Sequence, residues 1–260
     1  MRMSKLKVTI LGSGTSQGVP IIACECNVCT SVNSKDKRLR SSIMLSYQGE
    51  NFVIDSGPDF RQQMLREKVK TLSGIVFTHE HKDHLAGLDD VRAFNYVEKR
   101  DMEVYCSEQV ENALRNEFHY VFQENKYPGV PKVNLNRISK NESFILGKDL
   151  VIQPIEVMHY KLPVLGFRLG DFAYLTDVKT ISNKEKEKVK GTKVLIVNAL
   201  RIAEHISHFN LEEALVFINE IKPDKAYLTH ISHLFAKHND IEKMLPENVF
   251  VAYDGMVIDI

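Results

Sequence analysis

A dense run of metal-binding side chains, His79-Glu80-His81-Lys82-Asp83-His84, constrains the fold more than any other feature. The run follows the apolar segment 74–77, Gly-Ile-Val-Phe, and precedes the helix-like segment 85–97. Alternate residues at a strand end share a face, so the first and third residues point the same way while the last two turn onto the next element. Histidine and carboxylate are ligands for divalent cations. The run therefore predicts a strand-to-helix junction that holds two cations side by side, as in a metallohydrolase.

Composition bounds the size and the partners of the molecule. With 260 residues, 43% of them hydrophobic, the chain can bury a large core, and we expect one domain over residues 1–260. Lys plus Arg and Asp plus Glu both number 34, so no overall positive field attracts long nucleic acids, although a local patch stays open. A small anionic substrate fits this balance better. Because neither a signal-peptide core nor an apolar run of ~20 residues is present, we expect a soluble, cytoplasmic chain without a membrane partner.

Strand-like runs recur along the chain. They cover 8–11, 42–47, 52–54, 75–77, 103–105, 151–157, 166–169, 172–175, 194–197, 226–228 and 249–251. Turn residues at 48–51 and 170–171 predict antiparallel hairpins, so the sheet structure is not purely parallel.

Helix-like runs fall between the strands. They are predicted at 58–68, at 108–122 behind the cap Ser107, at 183–190, and at 211–221 behind a capping box of Asn210 and Glu213, with Pro223 as a stop. Residues 125–132 are punctuated by Pro and Gly, and we interpret them as a surface insertion near the site.

Several strand-like runs end on a polar residue. These residues are Asp55, His79, His159, Asp177, Asn198 and His230. A single histidine or aspartate after a strand is usually a core or turn residue. In layered α/β folds, however, strand ends form one rim where side chains distant in sequence converge on a ligand. Their number therefore favours one shared site.

The run at 79–84 resembles the His-x-His-x-Asp-His signature of metallo-β-lactamase-fold hydrolases, and the match extends from Asp55 through His230 in the family order. The resemblance implies an α/β fold, a four-layer αβ/βα sandwich of two mixed sheets flanked by helices. It also implies a ligand set: His79, His81 and His159 for one metal, Asp83, His84 and His230 for the second, and Asp177 as the bridge. Asp55 would hydrogen-bond a ligand from behind.

The donor set limits the metals and their chemistry. Carboxylate and imidazole suit Zn(II), Mn(II) or Fe(II), and sequence does not separate them. Two cations ~3.5 to 4 Å apart lower the pKa of a shared water and screen charge on a phosphoryl or acyl oxygen. A metal-bridging hydroxide is then the expected nucleophile.

Three of the four cysteines, Cys24, Cys26 and Cys29, lie within six residues. In a reducing compartment such a cluster favours metal over disulfides, but it is one ligand short of a tetrahedral zinc site. Three reduced thiols are the alternative. The fourth cysteine, Cys106, follows a strand-like run and is expected in the core.

A narrower resemblance bears on this cluster. Phosphoribosyl 1,2-cyclic phosphate phosphodiesterases of phosphonate (carbon-phosphorus lyase) metabolism join a Cys-x-Cys-x-x-Cys loop to a histidine three residues after the last active-site histidine. Here that residue is His233. The resemblance implies a structural zinc held by Cys24, Cys26, Cys29 and His233, in a loop at about 20–32.

The same subgroup suggests two substrate contacts. Arg92 ends a segment, 85–92, similar to a Gly-hydrophobic-Asp-Asp-Leu-Arg run, and could reach a phosphate or pair locally with Asp89. His208 matches a histidine near the scissile phosphate, where its neutral-range pKa suits protonation of the leaving alkoxide. No comparable reasoning covers His205. We interpret His119 and His238 as surface histidines.

The leading hypothesis is a dinuclear metal phosphodiesterase for a small cyclic phosphate ester, such as a phosphorylated ribose 1,2-cyclic phosphate. The alternatives are an RNA-processing endonuclease of the same superfamily, a thioester or lactone hydrolase, and a non-catalytic accessory protein of cofactor biosynthesis. Relatives form homodimers in some cases, but no residue pattern here defines an interface.

Overall fold

The computed structural model describes residues 5–260, which contain fourteen strands. In chain order these are β1 (Lys7–Gly12), β2 (Ser42–Tyr47), β3 (Glu50–Ile54), β4 (Gly74–Val76), β5 (Met102–Cys106), β6 (Val133–Arg137), β7 (Phe144–Leu146), β8 (Leu150–His159), β9 (Leu162–Leu169), β10 (Phe172–Leu175), β11 (Val194–Asn198), β12 (Lys225–Thr229), β13 (Val249–Val251) and β14 (Val257–Asp259). They form two seven-stranded sheets, ordered β14-β1-β2-β3-β4-β5-β6 and β13-β12-β11-β10-β9-β8-β7.

Both sheets are mixed. In the first, β14, β1, β2 and β3 pair antiparallel, whereas β3 to β6 pair parallel. In the second, β7 to β10 pair antiparallel and β10 to β13 parallel. The hairpins predicted at 48–51 and 170–171 are confirmed as the β2–β3 and β9–β10 connections.

The same described residues contain eight α-helices between the strands: α1 (Phe60–Arg66), α2 (Lys82–Leu85), α3 (Arg92–Glu98), α4 (Glu108–Glu117), α5 (His119–Phe122), α6 (Asn183–Val189), α7 (Leu211–Ile221) and α8 (His238–Glu242). Two of the predicted helices are broken. The segment 85–97 is divided at Gly87 into α2, a 3-10 turn and α3, and the helix over 108–122 is interrupted at Phe118, which takes non-helical angles.

Three apolar cores define the layers. One lies between the two sheets and contains Ile10, Phe52, Phe167 and Ile196. The other two lie between each sheet and its own helices. An inner core with two outer cores makes helix, sheet, sheet and helix layers, so the expected αβ/βα sandwich is confirmed.

Two glycines let the loops at one rim of the sheets pack closely. A Cβ built on Gly57 would lie 1.9 Å from the carbonyl oxygen of Asp83, and one built on Gly87 would lie 2.1 Å from the carbonyl oxygen of Gly57. The loop after β3 can therefore lie directly on the metal-binding run only because both positions are glycine.

Within residues 5–260, none of the helices combines the length and the apolar character needed to cross a membrane.

Candidate metal centre

The strand-end residues converge at one rim of the two sheets. Asp55 follows β3, and His79 lies three residues after β4. In the second sheet His159 ends β8, Asp177 lies two residues after β10, and His230 follows β12. Together they bring carboxylate and imidazole groups from both sheets to one place, as the sequence predicts.

Asn198 at the end of β11 has a different role. Its amide oxygen accepts a hydrogen bond from the backbone N–H of Val178 at 2.7 Å, and its amide nitrogen donates to the carbonyl of Val178 at 3.1 Å. Asn198 thus fixes the loop that carries Asp177 and supplies no ligand.

One group of potential ligands contains His79, His81 and Asp177, whose ligand atoms all lie within 4.8 Å of one another. His79 Nε2 lies 3.1 Å from His81 Nδ1 and 3.7 Å from Asp177 Oδ2. The ring of His159 lies beside this group, with its centroid 5.1 Å from that of His81. The Nδ1–H of His159 donates to the carbonyl of Ser207 at 2.7 Å, so Nε2 is the ring nitrogen that could bind a cation.

A second group contains Asp83, His84 and His230, again within 4.8 Å. His84 Nε2 lies 3.2 Å from Asp83 Oδ2 and 3.5 Å from Asp177 Oδ1. His230 Nε2 lies 3.4 Å from the same Asp177 oxygen. The two oxygens of Asp177 therefore face different groups, which is the geometry of a carboxylate bridge.

The residues fit a pair of divalent cations. His84 Nε2 and both ring nitrogens of His230 are buried without a hydrogen-bond partner in the part of the chain that the structure describes. Buried polar atoms are normally paired, so orphaned ring nitrogens that converge on carboxylates indicate a place for a cation. Nitrogen and oxygen donors of this kind suit zinc, manganese or iron.

Asp55 lies behind His84 and forms a hydrogen bond with its ring. Its Oδ2 accepts from His84 Nδ1–H at 2.7 Å and from the hydroxyl of Thr78 at 2.8 Å, while Oδ1 accepts from the Thr78 backbone N–H at 2.9 Å. Burial raises the pKa of Asp55, and the charge of His84 opposes that shift. Burial alone would lower the pKa of His84, but Asp83, Asp177 and Asp55 outweigh it and hold that pKa well above its usual value. The site is thus strongly electronegative.

Three residues of the site have a strained backbone. Asp55, Asp177 and His230 have φ angles of 66°, 59° and 58°, in the left-handed region. Aspartate and histidine enter this region more readily than most residues, but it still costs about 1–3 kcal/mol each. Such strain is typical of functional sites, where it aims side chains that a relaxed backbone would not aim.

His208 lies between His159 and His230. Its ring centroid is 4.4 Å from that of His159 and 4.6 Å from that of His230. Burial and then the charge of His230 lower the pKa of His208 to about 2, so the free protein holds a neutral imidazole here. His205 packs against it from the solvent side with a centroid distance of 5.3 Å.

Arg92 lies away from the ligands, at the start of α3. Its Nη2 is 3.4 Å from Asp89 Oδ2, so the local ion pair is present. The side chain lines a cavity of about 370 Å³ with Tyr96, Lys99 and Lys132, and none of its lining residues also lines the cavity beside His81. Contact of Arg92 with a substrate phosphate stays a prediction. The Pro/Gly-punctuated segment 125–132 also lines this cavity.

The three N-terminal cysteines meet His233 in the loop after β12. His233 Nδ1 lies 3.3, 3.4 and 3.6 Å from the sulfurs of Cys24, Cys26 and Cys29. Hydrogen bonds from the Cys29 backbone N–H and, to a smaller extent, from His233 lower the pKa of Cys26 to about 6 against the effect of burial. Three sulfurs and one nitrogen within 4.8 Å of one another suit a tetrahedral zinc ion.

Some parts of the site carry no sequence signal or a misleading one. Thr78 and the carbonyl of Ser207 orient ligands, but nothing in their residue type marks them. His238 was predicted at the surface, and this is wrong: it is fully buried, and Arg38 Nη2 lies 3.2 Å from its Nδ1. Its sequence neighbours Lys237 and Asn239 are polar and exposed, which gave a surface signal, while the His238 ring itself is buried.

Comparison with known proteins assigns the class. The profile described as "Beta-lactamase superfamily domain" matches residues 50–231, and the chain therefore belongs to this superfamily. A solved structure, a new diphosphatase of the PhnP family, is 36% identical over 98% of this chain and 97% of its own, with a TM-score of 0.91. At that identity and coverage the chain is also a member of the PhnP family.

Two further relatives are informative. An octanoyltransferase of Porphyromonas gingivalis is 39% identical over 96% of this chain but only 51% of the relative, so the chain spans about half the length of that curated protein. Zinc-bound PqqB of Methylobacterium extorquens is 18% identical over 98% of this chain and 100% of its own, with a TM-score of 0.81. The latter likeness shows the shared fold.

Proposed function

We propose that the chain is a metal-dependent phosphodiesterase that hydrolyses a small cyclic phosphate ester, of the phosphoribosyl 1,2-cyclic phosphate kind. The observation that carries the proposal is the pair of ligand groups joined by the two oxygens of Asp177, with the His208 imidazole beside both. The name of the 36% identical relative, a diphosphatase, supports phosphorus–oxygen hydrolysis as the reaction class.

Two divalent cations, zinc or manganese, would when bound lower the pKa of a water and screen charge on the phosphoryl oxygens. His79, His81 and His159 would hold one, Asp83, His84 and His230 the other, with Asp177 shared. The protein's own contribution is orientation. Asp55 fixes the tautomer of His84, and the carbonyl of Ser207 fixes that of His159. His208, neutral in the free protein, would take up a proton from solvent once the anionic substrate is bound and pass it to the leaving oxygen.

A second candidate, acyl hydrolysis, is suggested by the name of the Porphyromonas gingivalis relative. That name belongs to a protein about twice as long, so it does not assign acyl chemistry to the matched half. Thioester hydrolysis also gives no role to a histidine that protonates an alkoxide. RNA processing is disfavoured by the formal net charge of +0, since binding to a long phosphate backbone is largely electrostatic.

The test uses metal-loaded protein with bis-p-nitrophenyl phosphate, a phosphoribose cyclic phosphate and an octanoyl thioester. We expect turnover of the phosphodiesters, its loss in His79→Ala, and a fall of roughly 10²- to 10⁴-fold in His208→Gln. Turnover of the thioester alone, or full activity of His79→Ala, would refute the proposal.

Metal content separates the two kinds of site. We expect three ions per chain in the wild type and two in Cys24→Ser, because that change removes one of four ligands in the cysteine site. Cys106→Ala is the matched control, since its thiol is buried in the core away from His233. At most two ions in the wild type would contradict the structural zinc.

A further inference from the structure

The loop between β11 and α7 carries His208 and also the carbonyl that orients His159, but it has no regular structure of its own. Within the described part of the chain, residues 202–208 form no backbone–backbone hydrogen bond. Ile202 and Ile206 are exposed, so the outer face of the loop packs against nothing that would hold it. Because such a loop opens easily, its conformation must depend on hydrogen bonds from side chains.

Both ends of this loop are anchored. Near its start, the Arg201 guanidinium donates to the carbonyls of Ala203 and Glu204 at 3.3 and 2.6 Å. At its end, the backbone N–H of Phe209 donates to the loop after β10 at 2.6 Å. The stretch between these anchors, residues 205–208, contains the two groups that face the metal centre.

His205 supplies the hydrogen-bond acceptor for this stretch. Its Nδ1 accepts from the Ser207 backbone N–H at 3.3 Å and from the Ser207 hydroxyl at 3.2 Å. A side-chain acceptor bonded to the N–H two residues further on forms the local turn that asparagine commonly makes. Acceptance at Nδ1 leaves the ring proton on Nε2. Burial and then the charge of Arg201 lower the pKa of His205, which favours this neutral ring.

The turn made by His205 bears on two groups of the metal centre. Ser207 is held at its N–H and hydroxyl by His205, and its carbonyl accepts from His159 Nδ1–H at 2.7 Å. The next residue, His208, packs its ring against that of His205, with centroids 5.3 Å apart and planes at 36°. The side chain of His205 thus contacts both the residue that orients a proposed ligand and the proposed proton donor.

We propose that His205 is a positioning residue: its Nδ1 holds Ser207 so that the carbonyl is directed at His159, and its ring covers the solvent side of His208. The first part concerns the metal centre alone. The second part rests on the proposed function, because it gives His205 an effect on proton transfer by His208. In neither part does His205 touch a cation or the substrate.

Two substitutions separate the two contacts. His205→Asn keeps a side-chain acceptor for the Ser207 N–H and removes the ring, whereas His205→Phe keeps a ring and removes the acceptor. We expect the zinc affinity of the two-metal centre to fall about 10-fold in His205→Phe and to stay within about twofold in His205→Asn. The affinity is measured by zinc titration against a competing chelator. Cys24→Ser is titrated alongside to identify the step that belongs to the cysteine site.

The controls are His119→Phe and His119→Asn, which make the same changes at an exposed histidine and should leave the zinc affinity unchanged. Cooperative unfolding in urea shows beforehand that each variant is folded. If His205→Phe binds zinc as the wild type does, or if the phenylalanine and asparagine variants at 205 lose affinity equally, the role of Nδ1 is refuted.

The contact with His208 is tested by kinetics at saturating zinc. We expect kcat for a cyclic phosphate ester to fall about 10-fold in His205→Asn while KM is unchanged, because a displaced proton donor slows the reaction without weakening binding. The double variant His205→Asn/His208→Gln should be no slower than His208→Gln alone, since the first change acts through His208. An undiminished effect in the double variant would overturn this part, because His205 would then act on the substrate directly.

The two measurements also distinguish this inference from the proposed function. If the wild type hydrolyses no phosphodiester, the proposed function fails and takes the kinetic part with it. The zinc titration then still decides whether His205 orients His159 through Ser207.

Discussion

At the scale of single residues, Asp55 shows how a side chain that touches no metal controls one that would. Its two oxygens accept three hydrogen bonds, two from Thr78 and one from His84. An asparagine has one acceptor oxygen, so Asp55→Asn must set its NH₂ group against a donor of Thr78 or of His84. We expect the affinity for the second metal to fall 10- to 100-fold, as measured by zinc titration.

The control for this change is Asp149→Asn, which alters an exposed carboxylate that accepts from the side-chain amide of Gln48. It should bind metal as the wild type does. Wild-type affinity in Asp55→Asn would show that His84 is oriented by its strand-to-helix junction alone.

Whether a residue of the site can be predicted from the sequence depends on its residue type. Histidines and aspartates after apolar runs are recognisable, because few other residues hold cations and strand ends meet at one rim. The partner of His159, by contrast, is a backbone carbonyl at Ser207, which every residue possesses. The two oxygens of Asp177 face different groups because of the orientation of its side chain, which the spacing of residues in the sequence does not reveal.

At the scale of elements, the start of α7 links stability to the site. Asn210 accepts from the Glu213 backbone N–H, and Glu213 accepts in return from that of Asn210, both at 2.9 Å. Phe209, between this box and His208, donates to the carbonyl of Val178 and accepts from Leu200. We expect Asn210→Ala to lower the free energy of unfolding by about 1 kcal/mol in urea and to lower kcat by displacing His208.

Ser182→Ala is the matched change at α6, whose cap accepts from Glu185 and which carries no site residue. It should cost a similar free energy and leave kcat unchanged. A kcat unaffected by Asn210→Ala would mean that Phe209 alone fixes His208.

The strands that sequence missed share one property. Strands β6, β7 and β14 lie at sheet edges, and β7 and β14 have three residues each. Edge strands are short and partly solvated, so their apolar pattern is weak. Strand β9 starts at Leu162, four residues before the predicted start, because the turn at 160–161 has none of the usual Asn or Gly markers. The capping box at α7, a purely local signal, was predicted to the residue.

At the scale of the whole molecule, the layered fold was predicted because one motif resembles a family signature. The hydrogen bonds between distant segments could not be predicted from the sequence. Arg38 is the centre of one such buried hydrogen-bond network. Its guanidinium donates to Ser13 at 2.9 Å, to the carbonyl of Ala252 and to His238, 200 residues away. His238 in turn donates its backbone N–H to Asp36. No periodicity predicts a contact between segments so far apart.

This buried hydrogen-bond network predicts that the stability of the fold depends on pH. Because Arg38 has only donors, His238 Nδ1 must be the acceptor, and the neutral ring carries its proton on Nε2, 3.1 Å from Glu242. Burial and then the charge of Arg38 lower the pKa of His238 to about 4 in the folded protein. In the unfolded chain it stays near 6.5, so between these values only the unfolded state binds the proton. The contribution of the neutral His238 to the free energy of unfolding is therefore fully present above pH 6.5 and is lost as the pH drops towards 4.

We expect His238→Gln, whose amide oxygen can accept from Arg38, to lose less stability than the wild type between pH 7 and pH 4.5. The difference should be on the order of 2 kcal/mol in urea unfolding curves, since each unit of pKa shift is worth about 1.4 kcal/mol. Metal ligands and other carboxylates titrate in both proteins, so the difference between the curves isolates His238. His119→Gln, at an exposed histidine, should follow the wild-type curve. Parallel curves for His238→Gln and wild type would show that His238 is not held neutral, and that Arg38 and Asp36 stabilise the network without it.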